Sequence, residues 1–244
     1  LSPEQATDLI DFAAKQGVHL FVMHNFQFPS AFTRLEKYIR QGKIGEIESY
    51  FEFQFTNNTR RLPHWHNDLP LGLFFDEAAH FLYLLERLEG DIEILDSHAF
   101  RRTDPSENTP QVISVAMRAG KIPVNLMINF NSPICEWYFI VFGKKQIALF
   151  DFFRDILITI PNDGQHLSMD VISNSWNFTF QHWWGTFING IKMMSGNLLY
   201  GTDRVMNLAL DDLDGKAPAG EIDAQRGLLN IKTLDAIIHR TRYL

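Results

Sequence analysis

Three titratable residues lie within five positions of an otherwise apolar run, "LFFDEAAHFLYLL" at 73–85. At about 100° per residue, Asp76, His80, Tyr83 and Arg87 fall on one face of a helix. A carboxylate one turn before an imidazole can fix the tautomer of the ring and raise its basicity. With an ordinary pKa of about 6.5, such a histidine can exchange a proton with a substrate hydroxyl near neutral pH. The stretch therefore predicts an acid–base pair of Asp76 and His80.

Two other interpretations of this stretch remain open. In the first, Asp76 caps the helix N-terminus, Glu77 interacts with the helix dipole, and His80 is an exposed residue without function. In the second, Glu77-x-x-His80 is half of a carboxylate-bridged di-metal site in a helical bundle. That site needs a second Glu-x-x-His, which the sequence lacks. The strand-rich pattern elsewhere also disfavours a bundle.

The elements before this helix have the pattern of an α/β unit. Ser2-Pro3-Glu4 predicts a helix start, and Gly17 ends that helix. The nearly continuous apolar run at 18–25 predicts a strand buried on both faces, as in a parallel sheet. A second helix is predicted from about Pro29 to Gly42.

The pattern after residue 46 is that of antiparallel strands. Phe51, Phe53 and Phe55 alternate with polar residues, which predicts a half-exposed strand. Turn-forming "RAGK" and "FGKK" separate further strand-like runs, at 91–99, 112–118, 122–130, 136–142, 146–150 and 155–160. Helical patterns return at 180–213 and 223–239. The predicted fold class is α+β, with a large open, mostly antiparallel sheet and helices on one face.

Composition limits the kinds of partner. The chain has 244 residues, a net charge of −7 and no basic cluster longer than two adjacent residues, which argues against nucleic acid and anionic membranes. The lone Cys135 cannot form an internal disulfide, so we expect a cytoplasmic location. The apolar faces of 122–130 and 136–150 exceed what one helical layer can cover. We therefore expect a homodimer or homotetramer.

Two further groups of polar residues are candidate ligand contacts. His24 and Asn25 follow the predicted strand at its C-terminal end, where α/β sheets bind ligands, although asparagine is also frequent in turns. The loop at 57–70 is either solvated, or a metal site built on His64-x-His66, or a substrate-binding loop. In the last case its contacts would come from Asn57, His64, His66 and Asn67.

Taken in order, these motifs resemble the Gfo/Idh/MocA family of NAD(P)-dependent oxidoreductases. Residues 1–50 are similar to the family's last Rossmann helix and strand, its Asn-x-x-Phe-x-Pro-like turn and its Gly-x-Ile-Gly junction into the sheet. "DEAAH" matches the Asp-x-x-x-His motif near the start of a helix. The hairpins within 112–150 match the family's strand–turn–strand region. The resemblance covers most of residues 1–200.

The resemblance implies a cofactor and a site. It places Asp76 and His80 at a domain junction facing the nicotinamide of NAD or NADP, with His24 and Asn25 near the cofactor. It implies hydride transfer between the nicotinamide and a sugar, polyol or nucleotide-sugar carbon, while His80 carries the hydroxyl proton. It assigns substrate contacts to the 57–70 loop and homo-oligomer contacts to the open sheet face. It implies no metal.

The sequence also departs from the family pattern. It contains neither Gly-x-Gly-x-x-Gly nor the Glu-Lys-Pro motif whose lysine shares the acid–base work. We therefore expect 1–25 to be a remnant of the dinucleotide-binding domain, and 26–244 to be a substrate and oligomerisation domain that is inactive alone. The usual Gly-Gly before the Asp is replaced by "LGLFF", a frequent arginine by Gln27, and 196–220 looks like an insertion. The alternative is a non-catalytic oligomerisation or ligand-binding module.

Overall fold

The computed structural model describes residues 2–57, 64–101 and 107–244. Its helices are α1 (Pro3–Gln16), α2 (Ser30–Arg40), α3 (Leu73–Glu89), α4 (Ser168–Met194), α5 (Thr202–Leu213) and α6 (Ala224–Arg240). Its strands are β1 (Ile47–Asn57), β2 (Ile92–Phe100), β3 (Val112–Ala119), β4 (Ile122–Ser132), β5 (Glu136–Gly143), β6 (Gln146–Asp151), β7 (Ile156–Pro161) and β8 (Thr241–Tyr243). The predicted α+β class is confirmed.

The strands form one open sheet in the order β7-β6-β5-β1-β4-β3-β2-β8. The pairs β1–β4 and β2–β8 are parallel, and the other neighbours are antiparallel. The mostly antiparallel sheet was predicted, and the turns at 118–121 and 142–145 join hairpin strands as expected. The short β8 was not predicted, because three residues are too few to show an alternating pattern.

One face of the sheet forms the main core with α2, α3 and α6. Apolar residues of these helices pack against the inward-facing residues of the central strands, which alternate with outward ones as a pleated strand requires. The fully buried members of this layer include Phe32, Leu35, Phe74, Phe81, Ile237, Ile128, Phe139 and Phe150. The helix that carries the predicted acid–base pair, α3, is therefore fixed over the middle of the sheet.

The central strand β1 buries Glu52 and Gln54 instead of its phenylalanines. A half-exposed strand normally turns its apolar side to the core, but Glu52 and Gln54 are 0% exposed whereas Phe51, Phe53 and Phe55 lie on the open face and are only partly buried. The inversion has a local reason. Gln54 and Thr56 donate hydrogen bonds to a buried carboxylate of α3, so this part of the helix–sheet interface is polar.

The predicted buried strand at 18–25 is wrong. Val18 is 57% and Met23 52% exposed, and the segment makes a single antiparallel bridge, between Phe21 and Asp223. A strand can be buried on both faces only when neighbouring strands extend the sheet around it. Within the described ranges, no strand lies beside 18–25, so the segment is extended but exposed.

Helix α4 covers the edge strand β7. It begins at Ser168, twelve residues before the predicted helical region. Gln181 completes the edge by accepting a hydrogen bond from Thr159 N (3.0 Å) and donating one to Thr159 O (2.9 Å), which blocks pairing of this edge with another strand. Among the described helices, α4 included, none combines the length and the hydropathy that a membrane crossing needs.

Candidate functional site

Helix α3 is positioned at its first turn by a loop. It starts after Gly72, and the backbone N–H of Leu73 donates to Thr109 Oγ1 (2.9 Å). Asp76 lies in the first turn, whereas Gly72 occupies the capping position. The interpretation of Asp76 as the helix cap is therefore wrong, and the carboxylate remains on the face that carries His80.

His80 is held by one ring nitrogen and leaves the other open. Its Nδ1 lies 3.0 Å from Tyr83 Oη, one turn along α3. Its Nε2 has no hydrogen-bond partner among the described residues and is not sealed from solvent, since the residue is partly exposed. The interpretation of His80 as a merely exposed side chain is thus incomplete. The ring is anchored on one side and accessible on the other.

Aromatic side chains enclose the ring of His80. Phe26 meets it edge-on at 5.0 Å between ring centroids, and Trp137 of β5 lies at 5.6 Å. The indole Nε1 of Trp137 is buried without a hydrogen-bond partner in the described part of the chain. The imidazole is therefore fixed between the 24–28 turn and the sheet, beside an unused hydrogen-bond donor.

Tyr83 joins the two histidines that the sequence placed in different groups. Its hydroxyl accepts a hydrogen bond from Phe26 N (3.0 Å), and its ring stacks on His24 at 4.2 Å with an angle of 18°. Helical periodicity places Tyr83 on the same face as His80, but it predicts no function for Tyr83. Only the tertiary contact with the 24–28 turn shows that Tyr83 connects His24 to His80.

Burial keeps both imidazoles neutral. It lowers the pKa of His80 to about 4. The pKa of His24 is lowered to about 3, mainly by burial and to a smaller extent by the charge of nearby His80. Because a charged ring loses hydration when buried, the neutral form is favoured. At pH 7 the two rings therefore act as hydrogen-bonding groups without charge.

Glu77 belongs to the core rather than to the open side of α3. It is 3% exposed and accepts hydrogen bonds from Gln54 Nε2 and from Thr56 Oγ1, the latter at 3.1 Å. It thus points towards the sheet, away from the arc that contains His80. Across the described ranges, no group of three or more His, Cys, Asp or Glu side chains could hold a metal.

The turn after residue 24 is tied down by polar contacts. Asn25 Nδ2 donates to Tyr200 O (3.1 Å), and Gln27, at 3% exposure, donates to Glu221 O (3.0 Å). Gln27 Oε1 also accepts from Arg87 Nη1 (3.0 Å). Gln27 is therefore a buried link between the turn and α3. A cavity of about 160 Å³ beside Tyr83 is lined by this network and is smaller than ordinary ligand pockets.

The loop residues predicted to contact substrate are only partly described. Asn57 ends β1, where its backbone N–H donates to Cys135 Sγ (3.2 Å) and its amide to Pro133 O (2.9 Å). His66 and Asn67 are partly buried in a short 3₁₀ helix, His64–Asp68. The side chain of His64 lies outside the described part of the chain, as do residues 58–63. Their role in substrate binding stays a prediction.

Known structures share this fold. A protein of Desulfitobacterium hafniense described as an NADPH-dependent oxidoreductase superposes with a TM-score of 0.75 at 13% identity, over 98% of this chain and 67% of its own. The WlbA dehydrogenase of Bordetella pertussis, in complex with NADH and UDP-GlcNAcA, gives 0.69 at 15% identity over 98% and 66%. The UDP-N-acetylglucosamine 3-dehydrogenase GnnA of Acidithiobacillus ferrooxidans gives 0.64 at 14% identity over 98% and 68%.

These likenesses establish the fold. The structural relatives are oxidoreductases of the Gfo/Idh/MocA type, as the sequence motifs led us to expect. The chain spans about two thirds of the length of each of the three. Searches of family models and of curated proteins gave no match.

Proposed function

We propose that this chain is the substrate-binding and oligomerisation domain of an NAD(P)-dependent oxidoreductase that acts on a hydroxyl of a sugar, polyol or nucleotide sugar. The observation that carries the proposal is the state of His80, whose Nδ1 is anchored by Tyr83 while Nε2 stays open. Two of the similar structures, WlbA in complex with UDP-GlcNAcA and the UDP-N-acetylglucosamine 3-dehydrogenase GnnA, involve nucleotide sugars, which supports the substrate class.

The residues around His80 fit a nicotinamide ring. Phe26 and Trp137 supply aromatic surface, and the two neutral histidines add no positive charge that would repel an oxidised nicotinamide. When bound, the cofactor supplies the hydride chemistry. No glycine-rich phosphate-binding motif occurs in the sequence. We therefore propose that this chain contacts the nicotinamide ring and not the diphosphate of the cofactor.

The residues of this chain position the substrate and handle its proton. Nε2 of His80 contacts the oxygen that changes between hydroxyl and carbonyl, and exchanges the proton there. Asp76 lies one turn earlier on the same face of α3. Orientation of the ring by Asp76 stays a prediction, since the contact of Nδ1 described above comes from Tyr83. His24 and Asn25 lie at the cofactor side of the turn, and the 57–70 loop, with Asn57, His64, His66 and Asn67, holds the rest of the substrate. We further propose a cytoplasmic location, in keeping with the unpaired Cys135.

Kinetics of the complete gene product test this function. Sugars, inositols and nucleotide sugars are screened with NAD and with NADP, and formation of the reduced cofactor is followed by absorbance. We expect turnover with one substrate class, and His80→Ala should lower kcat about 10²- to 10⁴-fold while cofactor affinity, measured by fluorescence titration, stays unchanged. Asp76→Asn should lower kcat in the same direction.

The matched control is His239→Ala, which removes an exposed histidine of α6. It should leave kcat and cofactor affinity unchanged. A normal kcat for His80→Ala would contradict the assigned site. The absence of cofactor binding and turnover in the complete gene product would instead support the alternative, a non-catalytic oligomerisation or ligand-binding module.

The open sheet face supports the proposal of a homodimer or homotetramer. Phe51, Phe53, Phe55, Tyr138, Ile140 and Phe142 lie partly exposed on adjacent strands. Next to the sheet edge, α4 exposes further large apolar side chains, among them Trp176, Phe180, Trp183 and Phe187 at 50–72%. These ten side chains, nine of them aromatic, form apolar surface of the kind that is enriched at protein–protein interfaces.

A second copy fits these surfaces better than a membrane does. Residues 171–191 of α4 contain no Asp, Glu, Lys or Arg, whereas helices that bind anionic membranes carry basic residues on their polar face. The net charge of −7 opposes the same attraction. An uncharged aromatic surface of this size is typical of protein–protein interfaces.

A further inference from the structure

We propose that Tyr83 is a positioning residue that fixes which ring nitrogen of His80 carries the hydrogen. In this arrangement Tyr83 donates its hydroxyl hydrogen to Nδ1, and the neutral ring presents Nε2–H to the ligand. The effect of this hydrogen on catalysis rests on the proposed function. The assignment of the hydrogen follows from the contacts of Tyr83 itself.

The hydroxyl of Tyr83 is the acceptor in its contact with Phe26. A phenol has one hydrogen to donate and can accept hydrogen bonds. The backbone N–H of Phe26 has no acceptor capacity, so in the 3.0 Å contact with Tyr83 Oη the hydroxyl is the acceptor. The hydrogen of the hydroxyl therefore points elsewhere.

The hydroxyl hydrogen of Tyr83 points to His80. Tyr83 is 4% exposed, and the only other hydrogen-bond partner of its hydroxyl among the described residues is His80 Nδ1, at 3.0 Å. A buried hydroxyl that makes no donation loses its hydrogen bond to water without compensation. Donation to Nδ1 satisfies it, whereas donation from Nδ1 to Tyr83 would leave the hydroxyl hydrogen without an acceptor.

The imidazole of His80 then carries its hydrogen on Nε2. With Nδ1 accepting, a neutral ring carries its hydrogen on Nε2. Burial keeps the ring neutral at pH 7, because it lowers the pKa of His80 to about 4. The open nitrogen of His80 is thus a hydrogen-bond donor in the resting site.

The stacking contact makes this geometry rigid. The ring of His24 covers one face of the Tyr83 ring at 4.2 Å, and Phe26 both donates to Tyr83 and packs edge-on against His80. The hydroxyl therefore cannot move away from Nδ1 without disturbing the 24–28 turn. Side chains held in this way keep a catalytic group in one orientation and tautomer.

The consequence concerns the substrate. A neutral Nε2–H donates to an oxygen lone pair, so the resting site matches the carbonyl form of the substrate better than a hydroxyl that must itself donate. Within the proposed function, this class is the keto form of a sugar, polyol or nucleotide sugar. If Nε2 gives its hydrogen to the carbonyl oxygen, Nδ1 must take the hydroxyl hydrogen of Tyr83 in the same step, so that the ring stays neutral. In the oxidising direction both hydrogens move back.

Nitrogen-15 NMR of the imidazole rings tests the proposal on this chain without substrate or cofactor. The wild-type spectrum at pH 7 should show His80 with an unprotonated, hydrogen-bonded Nδ1 and a protonated Nε2. Tyr83→Phe keeps the stacked ring but removes the donor. Its Nδ1 signal should move to the position of an unbonded acceptor nitrogen, and the pKa of His80 should rise, because the lost bond stabilised the neutral ring.

Tyr200→Phe is the matched control. Tyr200 also packs on Phe26, at 6.0 Å, but its hydroxyl donates to Phe153 O, so the His80 signals should not change. A wild-type His80 with protonated Nδ1 would overturn the proposal, and this result needs no variant to fold. Unchanged His80 signals in a folded Tyr83→Phe would overturn it too. In either case a kinetic loss in His80→Ala would leave the proposed function standing.

Discussion

At the scale of single residues, the buried carboxyl of Glu52 is the least satisfied group in the core. It is 0% exposed, and neither carboxylate oxygen has a hydrogen-bond partner within the described ranges. The pKa of Glu52 is raised to about 8, mainly by burial and to a smaller extent by the negative charge of neighbouring Glu86. Burial also raises the pKa of Glu86 to about 7, although Thr233 and Asn230 donate to it. Both acids are thus protonated in the folded protein at mildly acidic pH.

The pH dependence of stability follows from this shift. Between about pH 4.5 and pH 8 the unfolded chain releases the proton of Glu52 while the folded chain keeps it. For this group the unfolded state binds fewer protons, so Glu52 lowers the free energy of unfolding as the pH rises. The lowered pKa values of His24 and His80 give the opposite slope up to about pH 6.5, so the net fall in stability is expected between about pH 6.5 and pH 8. Glu52→Gln should flatten the fall and stabilise the protein at pH 8 by on the order of 3 kcal/mol. Urea unfolding at several pH values measures this.

Glu48→Gln is the control for that experiment. Glu48 lies on the same strand but is exposed, so its replacement should leave the pH profile as in the wild type. If Glu52→Gln showed the wild-type slope between pH 5 and 8, Glu52 would not be the protonated group.

The residues of the candidate site could be predicted from the sequence only in part. The 3.6-residue period placed Asp76, His80 and Tyr83 on one face of α3, and the structure shows His80 and Tyr83 in contact. The partnership of Tyr83 with Phe26 and His24 was not predictable, because it joins positions about 57 residues apart through the tertiary fold. Periodicity reports which face a residue occupies, and not what lies opposite that face.

At the scale of elements, α3 is bounded by two glycines with similar backbone angles but different surroundings. Gly72 has φ 57° and ψ −127°, and Gly90 has φ 83° and ψ −123°. A Cβ on Gly72 would lie 2.7 Å from the backbone nitrogen of Thr109, whereas one on Gly90 would meet nothing within 4 Å. Both positions favour glycine because φ is positive. Only at Gly72 would a Cβ also collide with a neighbour, Thr109.

Alanine substitutions separate these two costs. Gly90→Ala should lower the free energy of unfolding by about 1–3 kcal/mol through backbone strain. Gly72→Ala should cost at least about 1 kcal/mol more, because Thr109 must move and releases Leu73 N. Chemical denaturation of both variants gives the comparison. Equal losses would show that the Thr109 loop does not hold the start of α3.

The elements differ in how well the sequence predicted them. The hairpins from β3 to β6 were found, because alternation and turn residues act locally. The strand at 18–25 was wrong, since an apolar run becomes a buried strand only when neighbours cover it. The strand β1 was predicted, but the face that it buries was not, because a carboxylate of α3 accepts hydrogen bonds from the polar side of the strand. Non-local partners decide both cases.

At the scale of the whole molecule, we expect the open sheet face and α4 to form the proposed interface between copies. Size-exclusion chromatography with light scattering should give a homodimer or homotetramer at micromolar concentration. Phe53→Asp introduces a charge at the centre of the open face and should shift the protein towards the monomer by at least about tenfold in the dissociation constant. A wild-type monomer at high concentration would contradict the assembly.

Leu9→Asp provides the control for the assembly. Leu9 is 48% exposed on α1, away from the sheet face, so the variant should keep the wild-type mass. Trp183→Asp on α4 tells whether the helix adds to the interface. If it leaves the mass unchanged while Phe53→Asp reduces it, the sheet face alone holds the copies together.

The inverted strand β1 has a consequence for how the protein must be handled. Because β1 turns phenylalanines outward and a carboxyl group inward, part of its apolar surface would be buried only in the proposed assembly, and that burial would add to stability. By mass action, the melting temperature should then rise with protein concentration and fall on dilution. Dilute samples would unfold at temperatures that concentrated ones survive.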